Sequence, residues 1–510
     1  MPEKLIFIFL FLFATSQGVE AQSSSQKLFE LLSPKKTGIH FSNNLKDTKR
    51  DNILIYSNFY GGAGVGLGDI NNDGLLDIFF AGNQVADKLY LNRGNLEFED
   101  ISVSAGILDD GAWSSAVIFG DVNQDGYQDI YVSRELYDDQ PERRKNLLYL
   151  NQGDNTFKEV AEAYGVADRQ RTRNASFIDY DKDGDLDLFL CNQPPNPGDY
   201  SKFYETELLL PEYSIRLYEN QGSKFIDVTE KAGLSKTGFP NSVVASDLNH
   251  DGWPDLYIAN DFWVGDWCFI NQGDGTFTNK IDDSFKHISF SSMGVDAADI
   301  NNDGLTDIMV LDMAAEDNYR SKANMSGMNP KAFWKVVNEG GHYQYMFNTL
   351  QLNRGMGQFS DIAQLAGISN TDWSWANLIA DFDNDGWKDI YVTNGLMRDI
   401  RNNDAAKLFK NHVESSLYKY IQEKNDLEGK SVWDVVDIEE TLDLVPSEKL
   451  SNYIYQNHGE FNFSKKMEAW GLDQKSFSNG AAYGDLDNDG DLDLVVSNVN
   501  DKAFVYKNHA

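Results

Sequence analysis

The run Asp381-Phe382-Asp383-Asn384-Asp385-Gly386-Trp387-Lys388-Asp389-Ile390 constrains the fold more than any other stretch, because its pattern occurs seven times and so imposes a repeated turn-and-strand unit. Acids stand at positions 1, 3, 5 and 9 around a glycine at 6. Ca²⁺ takes ~6–8 oxygen ligands at ~2.3–2.6 Å, so a short turn must aim alternate side-chain oxygens inward and add a backbone carbonyl, here at position 7. Glycine at 6 allows the positive φ of the sharp turn. The spacing recurs at Asp69, Asn71, Asp73, Asp77; at Asp121, Asn123, Asp125, Asp129; at Asp179, Asp181, Asp183, Asp187; and at Asp247, Asn249, Asp251, Asp255. It recurs again at Asp299, Asn301, Asp303, Asp307 and at Asp485, Asp487, Asp489, Asp493. An EF-hand also begins DxDxDG, but it needs a bidentate Glu at position 12 and flanking helices. Neither is present. The expectation is up to seven structural Ca²⁺ ions, the alternative for any one loop being a metal-free turn closed by Asx hydrogen bonds.

Each loop opens a unit of four short strands, as in Gly64–Gly68, Asp77–Ala81, Lys88–Asn92 and Phe98–Ile101. The third strand echoes in Leu148–Asn151, Leu217–Asn220, Phe269–Asn271, Leu350–Asn353, Ile454–Asn457 and Val505–Asn508. Seven such units, each too small to fold alone, predict an all-β chain, a seven-bladed β-propeller over residues 22–510. The last unit stops at its third strand, and Leu28–Leu32 is predicted to supply the missing outer strand.

Loop-to-loop spacings of 52, 58, 68, 52, 82 and 104 residues locate insertions in blades 3, 5 and 6: Pro194–Ser214, Met313–Tyr345 and Met397–Asn452. The last has helical spacing over Ala405–Glu423, with Leu408, Phe409, Val413, Leu417, Tyr418 and Ile421 on one side, expected to pack on the propeller.

The formal charge of −36 repels phosphate backbones and excludes nucleic acid as partner. The loops contribute 24 ligand-position carboxylates, and seven Ca²⁺ would bring −36 to −22. Lys4, the apolar run Leu5–Ala14, and small residues Val19 and Ala21 before a cleavage point predict a signal peptide over 1–21. That run is too short to span a membrane, and no later stretch is long enough. Localisation is therefore predicted as secreted, cell-surface or periplasmic. Cys191 and Cys268 are expected as buried free thiols, with a single disulfide the alternative.

At these loop and strand residues the chain resembles the FG-GAP (VCBS) repeat family, whose propellers include the integrin α-subunit head. Its Tyr-x-Asn-x-Gly and Ala-Gly-Ile/Leu segments resemble secreted proteins of the cartilage acidic protein type and their bacterial relatives. The resemblance covers roughly residues 28–510. It implies an adhesion head, a lectin or a polysaccharide lyase, and a UnbV/ASPIC-type companion domain missing from this chain.

Propeller connectivity puts the loops between first and second strands on one face and the insertions on the other, which makes the insertion face the predicted binding surface. Two rings of residues should circle its mouth. Ser115, Arg173, Asn241, Trp375 and Asn479 form one, with Ala63 and Met293; Arg134, Asn192, Asn260, Asp312, Asn394 and Asn498 form the other, with Gly82. The asparagines read equally as turn caps. Trp113, Trp373 and Trp375 are candidates for a ligand platform, with packing beneath the insertions as the alternative, and with Arg134, Arg173, Asn241, Asn260 and Asn394 they make the predicted ligand set. The leading function is a non-catalytic binding or adhesion module for an extracellular protein or glycan. The alternative is a lyase-like, glycan-acting enzyme that uses His342, Tyr343 or Tyr345 with Arg134 or Arg173 set against a uronate.

Overall fold

The computed structural model describes residues 27–195, 210–324, 329–424 and 429–510. The signal peptide expected over 1–21 and most of the first insertion lie outside the described residues. Seven four-stranded antiparallel sheets carry the chain. The first is Val65–Gly68, Asp77–Phe80, Lys88–Asn92 and Phe98–Asp100, in that order. Second strands such as Asp129–Arg134 and Asp255–Asn260 are buried along their whole length, being covered on both faces by neighbouring sheets. That is why they read as continuous runs of Ile, Leu, Tyr and Val rather than as alternation.

Each first strand lies beside the first strand of the next sheet, and Ser478–Gly484 of the last lies beside Val65–Gly68 of the first, so the sheets circle a common axis as in a β-propeller. The last sheet is completed from the other end of the chain. Phe29–Leu31 pairs antiparallel with Phe504–Asn508, matching Phe29 to Asn508 and Leu31 to Tyr506.

One side-chain device recurs in every sheet. The aspartate at loop position 9 begins the second strand and accepts two backbone N–H groups, as when Asp77 takes Ile70 N at 3.0 Å and Asn92 N at 2.7 Å. The asparagine it grips ends the third strand and donates its amide to the preceding sheet's loop. Asn92 reaches Leu486 O, Asn151 reaches Ile70 O, Asn220 reaches Val122 O and Asn271 reaches Tyr180 O. Asn353 reaches Leu248 O, Asn457 reaches Ile300 O and Asn508 reaches Phe382 O, so that with Asn92 on Leu486 O at 2.8 Å the circle closes from the first sheet to the last.

Residues 43–62 contribute no strand, and they cross the end of the molecule that carries the insertions. Tyr56, Phe59 and Tyr60 are each at most 1 % exposed. Asn58 donates to Gln193 Oε1 at 3.1 Å, Arg173 donates to Gly61 O at 3.1 Å and Asn479 donates to Tyr60 O at 3.2 Å, so this segment is bound to the third and seventh sheets at once.

The helix in the sixth insertion, Asn403–Lys424, departs from its expected packing. Ala405 is buried and Phe409 meets Trp433 edge-on at 6.3 Å, but Leu408, Tyr418 and Ile421 are exposed. Val413 and Leu417 are half-buried, so the expected stripe is only partly covered. Cys191 and Cys268 are free and buried on different sheets, and burial pushes both thiols up.

Asn271→Ala is expected to destabilise the fold by about 1–3 kcal/mol for the buried Tyr180 O it leaves unpaired, and by less for the half-buried Pro254 O. Exposed Gln422→Ala should stay within about 0.5 kcal/mol. Denaturant titration measures both, and equal midpoints would remove the asparagine circle as a source of stability.

Candidate functional site

The acidic loops fold alike because the same residues make the same local bonds. In six of them the position-1 carboxylate accepts the backbone N–H groups of positions 5 and 6, as Asp381 does from Asp385 and Gly386 at 3.1 and 2.9 Å. Gly386 has φ +90°, and a Cβ there would meet nothing within 4 Å, so backbone conformation rather than space demands glycine. Burial pushes the position-9 aspartates up, to about 7 for Asp77, Asp129, Asp255, Asp307 and Asp493 and to about 8 for Asp187 and Asp389. Their backbone hydrogen bonds oppose that rise, and neighbouring loop acids reinforce it.

Position 3 divides the loops into two kinds. Where it is Asn, the amide closes the turn itself: Asn71, Asn123, Asn249 and Asn301 donate to Asp73, Asp125, Asp251 and Asp303 at 2.9–3.0 Å. Where it is Asp, carboxylates crowd together. Oxygens of Asp179, Asp181 and Asp187, of Asp381, Asp383 and Asp385, and of Asp485, Asp487 and Asp493 come within 4.8 Å of one another in each set. Asp179 Oδ1, Asp383 Oδ1 and Asp487 Oδ1 are buried without a hydrogen-bond partner. Burial, then the neighbouring acid, pushes Asp181 and Asp383 up. Hard, convergent oxygen donors with unpaired atoms fit a divalent cation, and these three sets can hold a metal ion. Partial substitutes are already present. Lys507 bridges Asp487 and Asp489, and Gln456 donates to Asp383 Oδ2 at 2.5 Å, while the third loop has no such donor among the described residues.

On the insertion face the structure corrects several expected ligand residues. Trp113 is fully buried, tilted against Phe59 at 5.1 Å and edge-on to Tyr56 at 6.1 Å, because residues 43–62 cover it. It is core, not platform. Arg134 is 2 % exposed and binds both oxygens of Asp110, at 2.8 and 3.1 Å. Arg173 pairs with fully buried Glu135 at 2.8 Å and lies 5.9 Å from the ring centre of Trp375. Trp375 is half-buried and donates to Gly395 O at 2.5 Å.

The expected asparagines are turn caps or orphans rather than open contacts. Asn394 accepts from Ser374 Oγ at 2.7 Å, and Asn241 donates to Ser292 O at 2.9 Å. Asn260 is buried with neither amide atom paired, because Pro240 stands opposite it where Ser374 faces Asn394, and proline brings no hydroxyl. Trp373 is 9 % exposed. His342 contacts Phe285 O at 3.1 Å, and no hydrogen bond or ion pair among the described residues joins His342, Tyr343 or Tyr345 to Arg134 or Arg173. The proposed acid–base set is not assembled.

A different centre emerges between the fifth and sixth insertions. Arg320, on the helix Asn318–Ala323, binds Asp372 at 2.6 and 2.8 Å, Asp399 at 3.0 and 3.1 Å and Glu448 at 3.0 Å. Burial would lower the guanidinium, but hydrogen bonds to Asp372 and Asp399 outweigh it and push it up. The partners lie 52, 79 and 128 residues away, so no local spacing marks them. Beside them is a cavity of about 230 Å³ walled by Met313, Tyr345, Phe347, Asn370 and Trp373.

These features define a β-propeller built from acidic-loop repeats. A family model for the FG-GAP-like repeat matches residues 44–132, 139–190, 247–310, 336–392 and 441–496, and the chain belongs to that family. It is related to cartilage acidic protein 1. The human and mouse proteins are each 27 % identical over 230 residues, 44 % of this chain and 32 % of theirs, so the match spans about a third of their length. The protein of Xenopus tropicalis is 29 % identical over 141 residues, 27 % of this chain and 21 % of its own. Among solved structures, an Agrocybe aegerita lectin described as recognising non-reducing terminal N-acetylglucosamine aligns with TM-score 0.41 and 16 % identity, over 81 % of this chain and 82 % of its own. An ancestral GH74 enzyme aligns with TM-score 0.44 and 10 % identity, over 88 % and 45 %.

Asp181→Asn should raise stability in EGTA by about 1 kcal/mol, the net worth of the amide bond that the Asn loops already make. The same change should shrink the stabilisation gained on adding calcium. A variant that loses stability in EGTA would refute the two-kind reading. Trp113→Ala should cost ~3–5 kcal/mol, as for other buried Trp truncations. A melting curve close to that of the parent would return Trp113 to the surface.

Proposed function

We propose that the chain is a calcium-stabilised, seven-bladed β-propeller of the extracellular space that acts as a non-catalytic binding module for protein or glycan. The observation that carries this reading is the separation of its two ends. Acidic loops stand between first and second strands, and the insertions stand between second and third strands at the opposite end of the same antiparallel sheets. One end is therefore available for ions and the other for partners. In the loops of the third, sixth and seventh sheets, Asp179, Asp181 and Asp187, Asp381, Asp383 and Asp385, and Asp485, Asp487 and Asp493 would hold Ca²⁺. The ion supplies the positive charge that those carboxylates lack.

Secretion rests on the segment over 1–21. Among the described residues no helix is long and apolar enough to cross a membrane. The enzyme reading ranks second because Arg134 and Arg173, its cations, are already engaged by Asp110 and Glu135.

Ligands that bind only the folded state stabilise it by RT ln(1 + [L]/Kd) per site. EGTA should therefore lower the melting temperature markedly. Mg²⁺ should restore it poorly, since that ion demands near-octahedral geometry at ~2.0–2.1 Å. An unchanged melt in EGTA sinks the calcium reading. A binding screen over extracellular proteins and polysaccharides should give retention without turnover, whereas release of unsaturated products would establish the enzyme.

A further inference from the structure

We propose that the cavity beside the fifth insertion is a subsite for one neutral pyranose ring of a glycan, approached over the insertion's exposed aromatic surface. The proposal rests on the binding-module reading and deepens it.

The sheets do not need these aromatic rings, since the fifth is complete with Val295–Ala298, Asp307–Val310, Thr349–Asn353 and Phe359–Asp361. Yet the insertion places them in a continuous row. Trp334 on the helix Pro330–Asn338 is 53 % exposed and meets Phe333 at 5.2 Å; Tyr343 is 43 % exposed and lies 6.2 Å from Phe333. Phe333 continues to Tyr345 at 5.5 Å, and Tyr345 stacks on Phe347 at 5.9 Å with only 8° between planes. Tyr345 and Phe347 are walls of the cavity, so the row leads from solvent into it. Contiguous exposed apolar surface of this kind marks an interaction site.

The rest of the wall narrows the ligand class. Ser321, Asn324 and Asn370 add hydroxyl and amide groups to the aromatic side, the combination that matches a sugar's apolar ring face and its hydroxyl rim. At about 230 Å³ the cavity is smaller than the ~300–1,000 Å³ of sites for drug-sized ligands, so it takes one ring rather than an extended segment. Charge excludes acidic sugars. Arg320 is the cation among the lining residues, and its guanidinium is already taken up by Asp372, Asp399 and Glu448, so a uronate or sulfate would find no free positive charge in the wall.

The backbone at the wall is also strained. Asp372 has φ +70°, unusual for a residue other than glycine, and is held there by Arg320 and by its N–H bond to Ala314 O at 2.8 Å. Its carboxylate accepts Trp373 N at 2.8 Å, which fixes Trp373 in the cavity wall. Strain of this kind persists where surrounding structure enforces it, and it clusters at ligand sites.

The test is a glycan array on the intact, calcium-loaded chain carrying neutral, uronate and sulfated oligosaccharides, followed by calorimetric titration with the neutral glycans retained. Trp334→Ala and Tyr343→Ala should each weaken that binding by about tenfold or more with an unchanged melt, because both rings are exposed. Tyr418→Ala, at a still more exposed ring on the sixth insertion, should bind as the parent does. Binding confined to uronates or sulfates, or neutral binding indifferent to both variants, overturns the subsite. So does capture of an aromatic or aliphatic peptide side chain in this cavity in place of a sugar. A partner bound elsewhere with affinity untouched by Trp334→Ala leaves the module reading standing and removes this subsite alone, whereas turnover of the glycan removes the module reading itself.

Discussion

The buried aspartate that opens each second strand is the interaction on which the rest depends. Its two oxygens hold two backbone N–H groups from different parts of the repeat, one in the loop and one at the end of the third strand. A buried carboxylate is costly unless hydrogen-bonded, and here the bonds that offset the cost also fix the loop against its own sheet. The gripped asparagine then carries the connection to the preceding sheet. A second set of contacts between neighbouring loops runs through position-4 residues in left-handed backbone. Asn72 donates to Gly126 O, Gln124 to Gly184 O, Asn302 to Gly386 O and Asn488 to Gly74 O, while Lys182 lies over the Trp253 ring at 4.6 Å. These polar contacts join the sheets at one end beside the apolar packing of the buried loop residues Ile70, Val122, Leu248, Phe382 and Leu486.

The other end is joined differently, and this decides where a ligand can act. Residues 43–62 fill the mouth with Tyr56, Phe59 and Tyr60, and Arg173 and Trp375 meet across the axis from the third and sixth sheets. Donors that the repeat geometry aims at the mouth are consumed there, Arg173 by Gly61 and Glu135 and Asn479 by Tyr60. The insertions, not the mouth, keep exposed side chains such as Trp334, Tyr343 and Tyr418. Arg320 ties two of them together, and a buried cation shared among three carboxylates makes their relative placement expensive to disturb.

The repeat was legible because each part has a local cause. The loop spacing, the β-branched second strands and the terminal Asn of the third strand all lie within one repeat, and Leu28–Leu32 resembled the fourth strand that the last unit lacked. What escaped were contacts without periodicity. Nothing in residues 43–62 announces a plug, so Trp113 stood as a platform candidate with packing as its alternative, and Arg134 stood as a ligand candidate, when residues 43–62 cover the one and Asp110 holds the other. The expected asparagine ring contained its own explanation in part. Ser374 opposite Asn394 makes a cap, and Pro240 opposite Asn260 removes one, but only strand register reveals which residue faces which. The aspartate and asparagine that close the circle were visible as metal ligand and strand end, and their joint role needed the third dimension.

Position 3 then sets which loops close themselves and which leave carboxylates crowded together. An Asn there removes one charge and adds a donor, so the loops of the first, second, fourth and fifth sheets complete their own turns. An Asp leaves like charges facing one another with unpaired buried oxygens, and the three such loops lie in the third, sixth and seventh sheets. Two of the three are adjacent, and the seventh is the sheet whose outer strand comes from the far end of the chain. Its loop is also the one with a built-in cation, Lys507, from the strand that pairs with Phe29–Leu31. The sheet that pairs Phe29–Leu31 with Phe504–Asn508 thus carries a cation, Lys507, within its own closing strand, which lowers the carboxylate repulsion that closure would otherwise have to overcome.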